Sequence, residues 1–363
     1  MEEKKRIVCT IINDLVHDQR MQRICSSLAG AGFEVLLVGR VLPTSKPLAA
    51  TTFQQKRLSC FFNKGKLFYI EYNLRLFFFL IFQRVDILAP VDADTLVPSF
   101  LVSRLRSKKI VYDAHEYFSE VPEVARRKMV QRVWLWVEST FYPKVKTKYT
   151  VSETLAAEMG RRYGTTFSTI RNVPVLQEQA TEVAASEKFI LYQGALNEGR
   201  ALEDLIAAMP QLPLKLKLAG EGDLSTALRE QVKQLHLQDK VEFLGYVNPQ
   251  ELKQLTQQAF LGYNLLHHAG QSYYYSLSNK FFDYMHAAVP SLNPPFPEYK
   301  AILNQYATGV TCEAKVEAIA ACITQLLDDA AFYATLRQQC LQARKVYNWQ
   351  HEEKALIQLY ENC

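Results

Sequence analysis

At 363 residues the chain is longer than one hydrophobic core ordinarily supports, so two domains are expected. A hydrophobic content of 48% beside 22% charged residues excludes a disordered or fibrous chain, and seven cysteines with no CxxC pair argue against a zinc ribbon or a disulfide framework. The net charge of +5 hides an asymmetry: residues 1–175 carry 27 Lys and Arg against 16 Asp and Glu, whereas 176–363 carry 15 against 21.

A basic half beside an acidic half suits attraction of the first to anionic lipid or to a phosphate-bearing substrate. With no clustered charge and no recognition motif, nucleic acid is not an expected partner. The chain opens on Arg6–Ile12, which reads as a strand. The apolar stretch before Asn13 and Asp14 is too short for a secretion signal, so a cytoplasmic location is expected. A helix over Asp18–Ala31 and a strand at Glu34–Val38 follow. Residues 53–84 then interleave aromatic side chains with Lys56, Arg57, Lys64, Lys66, Arg75 and Arg84. Their apolar run, Leu76 to Phe82, is far below the roughly 20 residues needed to cross a bilayer. Two readings stand for the segment: a crossover helix packed on a sheet, and a surface that meets the inner face of the cytoplasmic membrane through its basic residues.

A strand at Val85–Ala89, a helix over Thr95–Leu105 and a strand at Ile110–Tyr112 continue the alternation. Asp92 and Asp94 have the spacing of a divalent-metal pair, but they stand just before a helix and are expected to cap it near Thr95. The polar stretch Gln177–Glu187, after Asn172-Val173-Pro174, reads as a connection, with the boundary near 173. Strands at Lys188–Gln193, Leu214–Ala219, Val241–Leu244, Phe260–Leu265 and Val289–Asn293 then alternate with helices. The fold expected is α/β, with two doubly wound parallel sheets facing across a cleft. The domains are residues 1–172, residues 173–345, and a C-terminal helix in 346–363 that packs back on the first domain.

The most informative window is Tyr273–Glu298. If Ser276 or Ser278 caps the next helix, the first-turn N–H groups favour an anion, and Lys280 adds a positive charge beside them. Asp283, three residues on, shares a helix face with Lys280 and offers a carboxylate for a ribose diol. The competing reading is a solvated lysine and an ordinary surface acid.

The segments YDAHEYFSEVPE (Tyr112–Glu123), VSETLA (Val151–Ala156), RNVPV (Arg171–Val175), LYQGALNEGRALEDLIAA (Leu191–Ala208), LAGEGD (Leu218–Asp223), VEFLGYV (Val241–Val247) and SLSNKFFDYM (Ser276–Met285) occur in one order. In that order they resemble the group 1 retaining glycosyltransferases, glycosyltransferase family 4 of the GT-B fold. The resemblance implies that the first domain binds an acceptor and the second a nucleoside diphosphate sugar of UDP or GDP type, without metal or further cofactor. It assigns the leaving diphosphate to Arg200 and Lys280 and gives His115 a part in catalysis at the donor sugar or phosphate. Donor contacts fall on Gly194, Gly199, Gly220, Gly222, Gly245, Tyr246, Val247, Tyr275, Ser278, Asn279 and Asp283. Asp113 and Glu116 are the implied acceptor contacts.

The chain departs from the family in three places. Ala195 stands where many relatives have an arginine, Tyr275 where the first of two hallmark glutamates is expected, and Asp283, which keeps a carboxylate on a shorter arm, where the second is. Packing and an aromatic sugar platform both remain readings of Tyr273–Tyr275. The implied activity is transfer of a sugar, with retention, to a polysaccharide, lipopolysaccharide or lipid-linked acceptor in cell-envelope biosynthesis. The rivals are a GT-B nucleotide-sugar epimerase and a non-catalytic nucleotide-sugar-binding protein.

Overall fold

The structure, a computed structural model, describes residues 4–16, 18–177 and 187–363. It divides into two compact units, Met1–Asn172 with Glu352–Cys363, and Val173–His351. Most of the connection expected over Gln177–Glu187 lies outside the described residues.

The first unit is built on a seven-stranded parallel sheet. Its strands are β1 (Arg6–Thr10), β2 (Glu34–Arg40), β3 (Gln54–Leu58), β4 (Ile87–Pro90), β5 (Lys109–Ala114), β6 (Thr147–Thr150) and β7 (Ser168–Thr169), in spatial order β3-β2-β1-β4-β5-β6-β7. Strands β1 and β4 are almost wholly buried because helices cover both faces of the sheet, which is why they read as continuous apolar runs. The order reverses after β3. Right-handed crossovers therefore place helix Gln19–Gly30 on one face and helices Gly65–Phe82, Asp92–Leu105 and Lys128–Phe141 on the other. Helix Gly65–Phe82 buries Phe68, Tyr72, Leu76 and Leu80 at one-turn spacing against the sheet. Each such side chain contributes about 1.5–3 kcal/mol when removed from water.

The last helix, Trp349–Glu361, runs across the division between the units, and its residues from Glu352 onward belong to the first. Leu356 and Tyr360 are fully buried there, and the Glu352 carboxylate accepts the backbone N–H of Arg171 at 2.9 Å. Edge strand β3 escapes the sequence pattern because QQKRL offers no apolar alternation, and its register comes from pairing with β2. No helix among the described residues is long and apolar enough to cross a membrane.

The second unit carries a six-stranded parallel sheet. Its strands are β8 (Phe189–Gln193), β9 (Lys215–Ala219), β10 (Val241–Gly245), β11 (Leu261–Tyr263), β12 (Ser291–Asn293) and β13 (Gly309–Thr311), ordered β10-β9-β8-β11-β12-β13. Its strand order reverses between β8 and β11. In sheets of this kind ligands settle outside the carboxyl ends of the strands at that reversal. The residues after Gln193 and after Tyr263 are thereby placed at the expected ligand position before any side chain is considered.

Candidate functional site

In the second unit the chain leaves β8 through Gly194-Ala195-Leu196-Asn197-Glu198-Gly199-Arg200 and enters helix Leu202–Ala208. This loop lies against the one after β9. Gly194 donates its N–H to the Ala219 carbonyl and Leu196 to that of Glu221. Gly220 is in close contact with its neighbour: a Cβ there would fall 1.9 Å from the Gly194 carbonyl oxygen, so no other residue fits. Gly199 has φ +83 and carries the ring of Tyr273, which a Cβ would approach to 2.7 Å. Gly222 touches Asn197 and Leu196, and Gly245 is bridged to Gly220. Gly194, Gly199, Gly220, Gly222 and Gly245 therefore form one cradle at the carboxyl end of β8, β9 and β10. Val247 packs into the small core beside it, whereas the ring of Tyr246 is exposed.

Two cations face this cradle. The Arg200 guanidinium lies 5.2 Å from the centroid of the Tyr273 ring, and its Nε is buried with no hydrogen-bond partner among the described residues. Lys280 stands at the start of helix Asn279–His286, with Nζ 4.2 Å from the centroid of the Tyr192 ring. A Cβ on Gly194 would lie 3.8 Å from that Nζ. Burial pushes the Lys280 ammonium well below its ordinary range, the nearby Arg200 charge lowers it further, and Asp283 partly offsets both. Neither cation forms an ion pair among the described residues. Two half-buried positive charges that disfavour each other, with aromatic faces as their nearest support, make a site for a polyanion.

Asp283 lies one helical turn beyond Lys280 and accepts from Gln193 Nε2 at 2.9 Å, while Gln193 Oε1 accepts from the Thr256 hydroxyl at 2.8 Å. This relay fixes the carboxylate. Tyr275 ends the short helix Gln271–Tyr274 with its ring edge-on to Tyr274, which itself packs against Phe296.

The expected serine cap does not form. Ser278 occupies the cap position of helix Asn279–His286, but its hydroxyl donates to Asn264 Oδ1, and the Ser276 hydroxyl donates to the Tyr273 carbonyl at 2.7 Å. A buried asparagine in need of a donor outcompetes the helix end, and the first turn, headed by Asn279 and Lys280, has no side-chain cap. Sequence reading also missed Tyr192, Gln193 and Thr256. The one available signal was Gln193, a buried polar residue closing the otherwise apolar strand FILYQ.

In the first unit, His115 and Glu116 follow β5, and both donate their backbone N–H groups to Asp92 Oδ1, at 2.9 and 3.2 Å. Asp92 and Asp94 therefore do not act as the expected caps. Helix Asp92–Leu105 begins at Asp92, whose φ is +56, and no side chain caps it. Burial raises Asp94 to about 8, with the Glu116 charge adding to the effect, and Asp92 is raised by burial and by Glu116 and Asp94.

Asp113 does not match its implied role as an acceptor contact. It is buried and holds the equally buried Arg20 through three contacts of 3.0–3.2 Å, so its carboxylate is committed to a structural ion pair. An arginine from helix Gln19–Gly30 needed that acid, and nothing in DAHE alone reveals it. His115 is half-buried and Glu116 exposed at the carboxyl end of the sheet.

The second unit corresponds to a known family: residues 176–345 match the glycosyl transferases group 1 family. A curated relative, the N-acetylgalactosamine-N,N'-diacetylbacillosaminyl-diphospho-undecaprenol 4-alpha-N-acetylgalactosaminyltransferase of Campylobacter jejuni, is 39% identical over 74 residues, 20% of either chain. The chain thus spans about a fifth of the length of the curated relatives it matches. Among solved structures, sucrose-phosphate synthase from Thermosynechococcus elongatus matches over 99% of both chains at TM-score 0.78 and 18% identity. HepE of Anabaena, solved in complex with UDP-glucose, matches over 99% of this chain and 100% of its own at TM-score 0.77 and 13% identity. The chain has the GT-B architecture of two parallel-sheet domains, and its second unit resembles the group 1 glycosyl transferases over residues 176–345.

Proposed function

We propose that the chain transfers a sugar from a nucleoside diphosphate sugar to a glycan or lipid-linked acceptor, with retention of anomeric configuration and without a metal ion. One observation carries the reading: Arg200 and Lys280, two cations in no ion pair among the described residues, are brought together at the strand-order reversal of the second sheet. A diphosphate supplies the charge they lack, and it is the leaving group whose developing charge must be stabilised. Asp283, held by Gln193, accepts hydrogen bonds from a ribose diol, and the glycine cradle lets the backbone approach the nucleotide. His115, whose backbone N–H is held by Asp92, is the first unit's candidate for proton transfer. A UDP donor and a lipid-linked acceptor are the reading that HepE, solved with UDP-glucose, and the Campylobacter jejuni transferase, which acts on a diphospho-undecaprenol acceptor, support.

Replacing Lys280 by Ala removes a charge-assisted contact to phosphate, which corresponds to a fall of about ten- to a hundredfold in donor turnover. The measurement is UDP and GDP release beside calorimetric titration of each nucleotide, with circular dichroism confirming the fold. Unchanged turnover in a folded Lys280→Ala protein removes the assignment. Tyr275, in place of a carboxylate, motivates the alternative of a non-catalytic nucleotide-sugar-binding protein, which would bind donor and release no diphosphate with any acceptor. A nucleotide-sugar epimerase would convert donor without acceptor.

A further inference from the structure

Helix Gly65–Phe82 is apolar on two opposite sides. The side carrying Phe68, Tyr72, Leu76 and Leu80 faces the sheet, while Leu67, Ile70, Leu74, Phe78 and Phe82 recur at helical spacing on the other side and are exposed. A helix apolar all round belongs in a core or in contact with lipid, and here only half of it has a core to enter. Phe61 and Phe62, just before the helix, are exposed as well. The Glu71 carboxylate holds their backbone N–H groups at 2.9–3.0 Å, and Arg75 lies over the Phe61 ring, so these aromatics are fixed outward.

Helix Lys128–Phe141, in the same layer, exposes Met129, Val133 and Trp136 one turn apart, and the two helices touch through Tyr69 and Trp134. Cations rim this apolar face. Lys56, Lys64 and Lys66 border the first helix with no carboxylate partner among the described residues, and Arg127, Lys128 and Arg132 border the second. An open cavity of about 560 Å³ beside strand β3 combines Lys56, Arg57 and Arg75 with the side chains of Leu74 and Phe78.

We propose that this face is a docking surface for an anionic phospholipid bilayer, with helix Gly65–Phe82 lying flat at the headgroup boundary. Its 18 residues give an apolar contact about 27 Å long, too short in hydrophobic terms to span yet suited to insertion along its side. Charge decides against a second copy as the occupant, since symmetric pairing of this face would bring the same cations together. The surface belongs to the first unit and the nucleotide site to the second, and the inference does not depend on the donor reading.

The test is flotation of the full chain with vesicles of phosphatidylcholine, with and without phosphatidylglycerol. The wild-type protein floats only with the anionic vesicles and less so as salt is raised. The triple variant Leu74→Ser, Phe78→Ser, Phe82→Ser loses about tenfold or more in partitioning, with an unchanged thermal midpoint because all three side chains are exposed. Brominated phosphatidylglycerol quenches tryptophan fluorescence, and Trp136→Phe removes much of that quenching. Wild-type protein that stays unbound with anionic vesicles overturns the inference, as does a triple variant that floats like wild type. A lipid-free dimer dissolved by the triple variant also overturns it and assigns the face to a second copy. Nucleotide release measured without vesicles reads the donor site alone, so failure of one proposal is distinguishable from failure of the other.

Discussion

Asp94 is a carboxyl held in the protonated form near neutrality by burial and by the Glu116 charge, with a folded value of about 8. Because this value lies above that of the unfolded chain, the folded state binds the extra proton between roughly pH 4 and 8. The stabilising contribution is complete below that window and is lost as the pH rises through it, with a slope of at most about 1.4 kcal/mol per pH unit. Urea unfolding of Asp94→Asn between pH 5 and 8 should show a shallower decline than wild type, and an identical slope would refute the raised value. None of this is visible in the sequence, where Asp92 and Asp94 read as helix caps. The arrangement depends on Glu116, which β5 delivers from beyond a helix and a strand. Lys280 and Asp283 could be read as one helix face from their three-residue spacing, and the glycines from their places just after strands. The roles of Gln193, Tyr192 and Thr256 were not, since they arise only when β8 and the helices around it meet.

Helices and strands with a buried apolar stripe could be read from spacing, and elements defined by their neighbours could not. Helix Gly65–Phe82 is the clearest case, because its composition left a core helix and a membrane-surface segment open, and the structure shows one side packed on the sheet and the other exposed. Leu76→Ala on the sheet side leaves a cavity in a closed core and should cost about 2–5 kcal/mol. Phe78→Ser on the opposite side should change stability by less than about 0.5 kcal/mol in lipid-free buffer. Equal losses in chemical denaturation would show that the outward side is covered. Strands β3 and β7 were invisible to pattern reading because their short polar sequences are organised by pairing with β2 and β6.

Across the whole molecule, the restart of the strand-helix rhythm near residue 188 marks two sheets, and the topology gives both the same reversal of strand order. Their internal equivalence was legible because the alternation repeats, whereas the makeup of the first unit was only partly so. That unit is assembled from two distant stretches, and deleting residues 352–363 removes Leu356, Tyr360 and the Glu352 partner of Arg171 from it. The shortened chain should lose the environment of Trp134 and Trp136, both in the first unit, with a red shift in fluorescence and a lower midpoint for their transition. An unchanged tryptophan spectrum and midpoint would show that the first unit closes without them.

The same discontinuity bears on how the protein is made. A ribosome delivers residues 1–172 early, yet the layer that Leu356 and Tyr360 complete is supplied only after all of Val173–His351 has been polymerised. The N-terminal sheet therefore lacks the side chains of Leu356 and Tyr360 throughout the synthesis of its neighbour. Cellular folding factors that shield nascent chains have their longest window of engagement on the earlier half of this polypeptide.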